Sequence, residues 1–455
     1  MVSTNYYTIY DLLNEYRLKH ISPVEHLQNT LKIIEKLNPK LNAFISISKQ
    51  RSIKQAKLSE QNFLKKIERK LEGIPFGVKD VIDIESEKTL NGSESFINSN
   101  IKKKNAAIVK NLIDEGAIYI GKLHTHELAI GAPTLSGINK PSSNPWDLTK
   151  TAGGSSSGSG SAVGGYLVPF ALGTDSGGSI RNPASMCGIV GLKPTYNSLV
   201  MDGVQPLAKT IDNVGPMARS GKDVSLVYSI LKKRIKVEIK PIKELKIGVI
   251  EHFYNKDLIA NDEVGMLFEK AVRIFEKNGA VISRVSVDTL KTFQNVNGVI
   301  MAKEGYLQFK NLIEENKNEI DEITFNRLIL GKYISNEQYQ TSIKHKKKLS
   351  LKINSMFSNF DVLITLTNFD LPFDIGNIKD IKKYYTRNAR SPFNVSGHPS
   401  ISIPCGLSKS GLPVGFQIVG RNNADNFIAN VADEFMKKIN WNKVSYKKIY
   451  ENLYL

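Results

Sequence analysis

The sequence predicts an α/β protein: a single large domain in which helices cover a mixed, largely parallel central sheet. Short apolar runs alternate with helix-like segments along most of the 455 residues, which is typical of proteins whose strands are connected by helices. Hydrophobic residues make up 41% and charged residues 23% of the chain, so there is enough apolar material for a sizeable core. No repeat and no convincing linker interrupts the pattern, which favours one domain over several.

The first clear element is a helix that begins at Pro23. Ser22 is its predicted N-cap, and Glu25 can bond back to the Ser22 backbone in a capping box. Asn38 and Pro39 are expected to end the helix. Apolar residues recur within it at steps of three and four, which predicts one buried face: Val24, Leu27, Leu31, Ile34 and Leu37.

Strands and helices then alternate along the rest of the chain. Seven short apolar runs are predicted as strands: 74–78, 117–123, 245–250, 281–287, 361–365, 400–404 and 416–419. Three further segments are predicted to be helical: 106–115, 261–278 and most of 302–357. Within one domain we expect N-terminal helices over about residues 1–60, a core over about 70–200, and a variable part over about 220–455.

Cysteine content and apolar stretches bear on the compartment. Cys187 and Cys405 are the only cysteines, so no disulfide framework is predicted and a reducing compartment fits. Residues 1–10 lack a basic start followed by an apolar run, so we expect no signal peptide. The longest apolar stretch, 162–172, contains glycine and proline and is too short to span a bilayer. We therefore expect a cytoplasmic protein that does not enter a membrane.

The net charge of +18 raises the question of a nucleic-acid partner. The basic residues come in scattered clusters, such as Lys102–Lys104 and Lys346–Lys348, and these are not interleaved with aromatic residues. This distribution favours a lysine-rich solvated surface over a dedicated nucleic-acid-binding arm.

The most unusual stretch is the glycine- and serine-rich segment Gly153–Ser161. A phosphate-binding P-loop would need a lysine followed by Ser or Thr, and no lysine lies between Lys150 and Lys193. A flexible linker fits the composition, but apolar sequence follows at once. A nucleophile elbow, G-x-S-x-G, matches at 154–158. Its histidine would have to come from three downstream residues without a recognisable setting: His252, His345 and His398.

A second glycine-rich segment, 173–181, reads G-T-D-S-G-G-S-I-R. Gly177 and Gly178 precede Ser179, so consecutive backbone N–H groups beginning at Ser176 can point into one small space. An oxyanion hole requires such an arrangement. Ser179 would then be placed to attack a carbonyl held by these donors.

A serine nucleophile needs a base, and the sequence offers Lys79 at the end of the predicted strand 74–78. Burial lowers the pKa of a lysine because its charged form is desolvated. A neutral amine can take a proton from a serine. From this segment alone, the alternative is a structural lysine paired with Asp80.

Taken together, these segments resemble the amidase signature family. The matching stretches follow the family order and cover nearly the whole chain. They are G-I-P-F-G-V-K-D (73–80), G-K-L-H-T-H-E-L-A (121–129), N-P-W-D (144–147), G-G-S-S-S-G-S-G-S-A (153–162), G-T-D-S-G-G-S-I-R-N-P-A (173–184), C-G-I-V-G-L-K-P-T (187–195), D-N-V-G-P-M-A-R-S (212–220), F-N-V-S-G-H-P-S-I-S-I-P-C-G (393–406) and G-L-P-V-G-F-Q-I-V-G (411–420).

The resemblance implies the amidase signature fold and amide hydrolysis by a Ser-cisSer-Lys triad through an acyl-enzyme. The lysine of the triad matches Lys79, the bridging serine after a cis peptide bond matches Ser155, and the nucleophile matches Ser179. The family's oxyanion hole falls on backbone N–H groups of the same loop: Ser176, Gly177, Gly178 and Ser179. No metal and no organic cofactor is implied.

Several neighbouring residues are assigned supporting parts by the resemblance. Ser156 would support the relay, and Gly154 makes the cis bond sterically easier. Arg181 would orient the loop or a buried carboxylate such as Asp175. Substrate contacts are assigned from motif position alone: Thr125, Met186 and Phe393.

Other reactive side chains near the motifs favour structural interpretations. His124 and His126 could form a two-histidine metal site, but only one residue separates them and no cysteine accompanies them, so we expect no metal. Cys187 and Cys405 lie in apolar contexts and are expected to be buried and inert.

The resemblance leaves the substrate open between two branches of the family. A stand-alone amidase acting on a small-molecule amide is favoured. The alternative is the glutaminase subunit of a tRNA-dependent amidotransferase, for which nucleic acid would be a partner. In that branch an arginine binds the glutamine carboxylate and an aspartate its ammonium. The matching positions hold Lys346 and Ala424, with Asp425 one step away, and a lysine cannot make the two-pronged contact of an arginine.

The segment 302–339 looks more like that of stand-alone amidases than like that of the amidotransferase branch. A non-catalytic binding protein of the same fold is a minor alternative, disfavoured because all three triad positions are filled. The N-terminal helices could support a homodimer.

Overall fold

One ten-stranded sheet runs through the protein, among the residues that the structure describes. The structure is a computed structural model and describes residues 6–135, 140–233, 238–315 and 317–454. The predicted lack of a signal peptide therefore concerns, in part, residues outside these ranges. None of the helices in the described ranges is both long enough and apolar enough to cross a membrane.

The strands are β1 Pro75–Lys79, β2 Ile118–Leu123, β3 Ser143–Asn144, β4 Asp147–Thr151, β5 Phe170–Asp175, β6 Val190–Lys193, β7 Asn213–Ala218, β8 Lys246–Ile250, β9 Val281–Val285, β10 Val362–Leu366, β11 Ser400–Leu407 and β12 Pro413–Val419. The helices are α1 Ile9–Arg17, α2 Pro23–Leu41, α3 Lys49–Leu64, α4 Ala107–Asp114, α5 Ser157–Gly164, α6 Arg181–Met186, α7 Gly221–Lys232, α8 Asp262–Lys277, α9 Leu290–Gln308, α10 Lys310–Glu315, α11 Glu322–Tyr333, α12 Asn336–Met356, α13 Ile378–Tyr384, α14 Ser391–Ser396, α15 Asp425–Lys438 and α16 Trp441–Leu453.

The strand order is β2-β1-β5-β7-β6-β11-β12-β10-β8-β9, with β3 and β4 forming a separate hairpin. Parallel pairs lie at the two ends of the sheet, where β1 pairs with β2 and β5, and β8 pairs with β9 and β10. The pairs in the middle are antiparallel. A short turn joins β11 to β12, and short turns connect only antiparallel neighbours. The predicted mixed α/β sheet is confirmed, and its parallel character is confined to the ends.

All seven predicted strands are present, with ends that shift by at most three residues. Five strands were not predicted, and β7 shows why. It contains Gly215 and Pro216, which argue against a central strand, yet it pairs with both β5 and β6. The apolar run 162–172 is divided between the end of α5 and the start of β5.

Helix α2 begins as predicted and ends later than predicted. Ser22 Oγ accepts from the Glu25 N–H, and the Glu25 carboxylate accepts from the Ser22 N–H, so the capping box is confirmed. The expected end at Pro39 is wrong, because the helix continues to Leu41. A proline in the last turn removes only its own N–H, and the left-handed backbone of Asn42 then ends the helix.

The packing of β1 against its two neighbours fixes where the candidate site lies. The Phe76 ring stacks on Phe170 of β5 at 5.2 Å and meets Tyr119 of β2 edge-on at 6.1 Å. These rings are buried in the main core. Because β1 and β5 are parallel, their carboxyl ends, Lys79 and Asp175, reach the same edge of the sheet.

Candidate active site

Lys79 ends β1 with its side chain fully buried. Its Nζ donates to Ser155 Oγ at 2.8 Å and to Thr174 Oγ1 at 2.8 Å. Burial lowers the pKa of Lys79 to about 7, because the charged amine loses its hydration, although Asp175 and Asp212 favour the charged form. A substantial fraction of this amine is therefore neutral near pH 7 and can accept a proton.

The structural alternative for Lys79, an ion pair with Asp80, is not observed. Asp80 lies 3.2 Å from the Nζ of Lys122 instead, and both side chains are almost fully buried. Lys122 also donates to the Ile82 carbonyl at 2.6 Å. Lys122 therefore supplies the charge that Asp80 needs, which leaves Lys79 to the hydroxyl groups.

Ser155 follows a cis peptide bond from Gly154 and is held on both sides by backbone contacts. The Gly154 carbonyl accepts from Asn182 Nδ2 at 3.0 Å, and the Ser155 carbonyl accepts from the His126 N–H at 3.1 Å. A Cβ on residue 154 would lie 2.1 Å from Cε1 of His126. Glycine is therefore required at this position by the close approach of the His126 ring.

Gly154→Ala is expected to lower kcat/KM by at least about 100-fold, because the added methyl group must displace either His126 or the Ser155 peptide. The matched control is Gly265→Ala in α8, where an added Cβ meets nothing within 4 Å. That control should raise stability by about 0.5–1 kcal/mol and leave turnover unchanged. Ammonia release measures the change in turnover, and thermal unfolding measures the change in stability. Full activity in Gly154→Ala would contradict the conclusion that glycine is required next to the His126 ring.

Ser179 lies in the loop between β5 and α6, and its side chain is partly exposed to an open pocket of about 510 Å³. Gly154, Ser176 and Gly177 line the same pocket. The Ser179 carbonyl accepts from the Ser156 N–H at 3.2 Å, which ties the two glycine-rich segments together. In the described part of the chain the hydroxyls of Ser155 and Ser179 are not hydrogen-bonded to each other, and such bonds are often loose before substrate binds.

The expected oxyanion hole needs one correction. The Gly178 N–H donates to Asp175 Oδ1 at 2.7 Å, so it is not free to bind an oxyanion as the sequence predicted. The N–H groups of Gly177 and Ser179 have no acceptor among the described residues, and both residues line the pocket. The Ser176 hydroxyl donates to Asp212 Oδ1 at 2.5 Å, which fixes the start of the loop.

Asp175 and Arg181 form a fully buried ion pair beneath this loop. Arg181 donates from Nε and Nη2 to the two carboxylate oxygens, each at 3.0 Å. Burial alone would raise the pKa of Asp175, but Arg181 and the amide of Asn394 hold it well below its usual range. The remaining Arg181 nitrogen donates to the Arg390 carbonyl and to Gln417 Oε1, each at 2.8 Å. The pair therefore anchors the Ser179 loop to β12 and to the residue that precedes α14.

Arg181→Leu is expected to lower the free energy of unfolding by about 3–5 kcal/mol, because it leaves the Asp175 carboxylate buried without its counter-charge. Lys104→Leu is the matched control, since its pair with Asp202 is exposed and should contribute little. Urea unfolding of both variants measures the difference. Similar losses would argue against an anchoring role for Arg181.

Several residues at this site were not singled out by the sequence analysis. Thr174 accepts from Lys79, Asp212 accepts from Ser176, and Asn182 supports the Gly154 carbonyl. All three lie inside the segments that match the family, so the resemblance could have identified them.

Ser156, which the sequence analysis expected to support the relay, contacts the Thr174 backbone. Its hydroxyl donates to the Thr174 carbonyl and accepts from the Thr174 N–H, each at 3.2 Å, and it therefore positions β5 beside α5.

The three predicted substrate contacts do not line the 510 Å³ pocket. Phe393 is fully buried in the core, and the Thr125 hydroxyl donates to the His126 carbonyl at 3.0 Å. Met186 faces a separate small cavity next to Asn182. Their positions in the motifs place them near the site, but none of the three side chains lines this pocket.

The remaining candidates take other contacts. His124 Nδ1 contacts Ser157 Oγ at 2.8 Å, and His126 Nδ1 contacts the Tyr385 hydroxyl at 3.3 Å. Cys187 and Cys405 are buried, and burial raises the pKa of both thiols.

The positions matched to glutamine-binding residues also lie outside the pocket lining. The Lys346 ammonium stands 4.8 Å from the centre of the Tyr196 ring. Asp425 accepts from the Thr195 N–H at 2.7 Å and from its hydroxyl at 2.8 Å. Ala424 precedes α15 and supplies no charge.

Comparison with known proteins identifies the family of the chain. A family model described as Amidase matches residues 25–428. The A subunit of glutamyl-tRNA(Gln) amidotransferase from Caldanaerobacter subterraneus subsp. tengcongensis is 31% identical over 472 residues, which cover 94% of this chain and 96% of that protein. The structure of the same kind of protein, the glutamyl-tRNA(Gln) amidotransferase A subunit from Thermotoga maritima, matches with a TM-score of 0.79 at 31% identity, covering 95% of this chain and 94% of that one.

A further solved structure extends the likeness in fold. The peptide amidase of Stenotrophomonas maltophilia matches with a TM-score of 0.81 at 23% identity, covering 95% of this chain and 96% of that chain. The family model spans most of the sequence, including both glycine-rich segments and the end of β1. The chain therefore belongs to the amidase signature family and is a hydrolase of amide C–N bonds.

Proposed function

We propose that this chain hydrolyses a small amide through an acyl-enzyme, with Ser179 as nucleophile, Ser155 as proton relay and Lys79 as base. The observation that carries the proposal is the buried 2.8 Å contact between Lys79 Nζ and Ser155 Oγ. It lies next to an open pocket that Ser179 lines. An amine whose pKa is lowered to about 7 suits a base that works near neutral pH.

The first half of the reaction forms the acyl-enzyme. Ser179 passes its proton to Ser155, whose own proton moves to neutral Lys79, while Ser179 Oγ bonds to the amide carbon. The N–H groups of Gly177 and Ser179 hold the resulting oxyanion. The protonated Lys79 then returns the proton through Ser155 to the leaving nitrogen. The C–N bond breaks, and ammonia or an amine leaves.

The second half reverses the relay with water as the attacking group. Water gives its proton through Ser155 to Lys79 and attacks the Ser179 ester. The ester bond breaks, the carboxylic acid leaves, and Ser179 recovers its proton. These steps use only side-chain and backbone groups of the chain.

A second candidate function is favoured by the relatives rather than by the pocket. Chains 31% identical to this one are named as the A subunit of glutamyl-tRNA(Gln) amidotransferase, and a protein of that kind would release ammonia from glutamine for partner proteins and tRNA. Glutamine carries an ammonium group, whereas no carboxylate lines the pocket among the described residues. This observation supports a stand-alone amidase, for which the sequence predicts the cytoplasm as compartment.

Ammonia release by the purified chain alone tests the proposal. The substrates are simple aliphatic and aromatic amides, with glutamine included. Release from simple amides, lost in Ser179→Ala, is the expected result. If glutamine is the only substrate cleaved, and is cleaved only after partner proteins and tRNA are added, the assignment moves to the amidotransferase branch.

A further inference from the structure

Arg390 is a buried cation at the edge of the proposed catalytic loop. The residue is only 5% exposed. The aliphatic part of its side chain packs against Gly178, since a Cβ added to Gly178 would lie 2.5 Å from both Cβ and Cδ of Arg390. Arg390 and Ser179 line the same pocket, so a single ligand can reach both.

No carboxylate of the described residues pairs with the guanidinium of Arg390, although a buried arginine normally has such a counter-charge. Its Nη2 donates to the Tyr385 carbonyl at 3.1 Å, and its Nε has no partner among the described residues. Burial, together with the nearby charge of Arg181, lowers the pKa of Arg390 to about 10, so the group stays protonated at neutral pH. Asp175 is already paired with Arg181, and Asp370, which lines a small cavity together with Arg390, is paired with Arg387.

Two more cations stand around the same pocket. Arg327 lies with its guanidinium 4.8 Å from the centre of the Tyr385 ring, and it donates to the carbonyls of Ile130 and Gly131. Lys291 lines the exposed rim. Among the described residues no Asp or Glu lines this pocket. Its charged lining is therefore entirely positive.

The geometry points to a substrate that carries a carboxylate as well as the amide that is cleaved, with the carboxylate bound by Arg390 and Arg327. This inference rests on the proposed function, because it names the substrate class of the same site. A guanidinium donates two parallel hydrogen bonds to a carboxylate, and that contact gains strength where water is excluded. An ammonium group beside the carboxylate, as in glutamine, meets only positive charge in this pocket.

The test compares matched substrates in the wild-type chain. Monoamides of dicarboxylic acids with three to six carbons are measured against the uncharged alkanamides of equal length. At the best length we expect the anionic amide to have a kcat/KM at least about tenfold higher. Glutaramate, the five-carbon monoamide, should also be cleaved faster than glutamine, which differs from glutaramate only by its ammonium group. Equal or lower kcat/KM for the anionic amide at every length would overturn the inference and leave the amidase proposal standing.

Variants then locate the effect. Arg390→Gln should remove most of the preference for the anionic amide, and Arg390→Lys should keep part of it. Lys382→Gln, which removes an exposed charge of α13 outside the pocket lining, should keep the full preference. If Arg390→Gln does not fold, Arg327→Gln provides the same comparison at a less buried position. A full preference in both arginine variants would overturn the assignment.

Binding separates this inference from the catalytic proposal. Calorimetry with the Ser179→Ala variant should show glutaramate binding that is weakened at least about tenfold by adding Arg390→Gln. This result does not depend on turnover, so it stands even if Ser179 is not the nucleophile. Equal affinity with and without Arg390 would contradict the proposed carboxylate site.

Discussion

Ser179→Ala is expected to lower kcat by at least about 10⁴-fold while the protein stays folded. The substitution removes the only hydroxyl that the proposal places next to the free N–H groups of Gly177 and Ser179. The Ser179 backbone bond to Ser156 does not involve the hydroxyl and is retained. Steady-state ammonia release measures the loss, and mass spectrometry of the wild-type chain quenched during turnover should show the acyl adduct on Ser179.

The matched control is Ser161→Ala, in the same glycine- and serine-rich segment as Ser155. The Ser161 hydroxyl donates to the Ser143 carbonyl at 2.8 Å and does not reach Lys79. Its removal should lower stability by about 1 kcal/mol and leave kcat within a few-fold. Retained hydrolysis in Ser179→Ala, or an equal loss in Ser161→Ala, would exclude Ser179 as the nucleophile.

Lys79→Met is expected to be nearly as damaging, because none of the other described side chains contacts Ser155 Oγ as a base. Methionine has a similar length and suits the buried site, so the fold should be retained. Lys110→Met, at an exposed position on α4, is the control and should not change turnover. An active Lys79→Met variant would show that the proton leaves Ser155 by another path.

The pH dependence gives an independent measure of the same role. Burial lowers the pKa of Lys79 to about 7, and the neutral amine is the form that accepts a proton. Activity should therefore rise as pH increases through about 7 and level off above it. The kcat/KM of the wild-type chain, measured from about pH 5 to about pH 10 with an uncharged amide, tests this. A flat profile, or one that falls with pH, would contradict a neutral lysine base.

The triad candidates could be found from the sequence because each lies in a short segment whose own residues define the local geometry. Lys79 ends a strand that is buried throughout, so its burial follows from the strand itself. Gly154 precedes Ser155, and two glycines precede Ser179, which gives the backbone the room that each turn needs. The alternation of strands and helices was visible for the same reason, since hydrophobic period and capping are local properties.

The details that depend on distant packing could not be found in this way. The loss of Gly178 as an oxyanion donor follows from the orientation of the Asp175 carboxylate, which Arg181 and Asn394 hold in place. Thr125, Met186 and Phe393 do not line the 510 Å³ pocket, because a motif fixes the position of a residue along the chain but not the direction of its side chain. The antiparallel centre of the sheet was also hidden, since proline and glycine in β7 do not read as a strand.

The sequence alone determined the α/β class, the amidase signature resemblance and the three candidate positions of a catalytic triad, because these depend on contiguous segments. Only the tertiary structure decided which cations surround the pocket. The Arg390 carbonyl accepts from Arg181, 209 positions away, which brings Arg390 to the loop that carries Ser179. Arg327 comes from a different helix, α11. No local pattern encodes such a meeting, because it arises from the packing of α11 and α14 against α9.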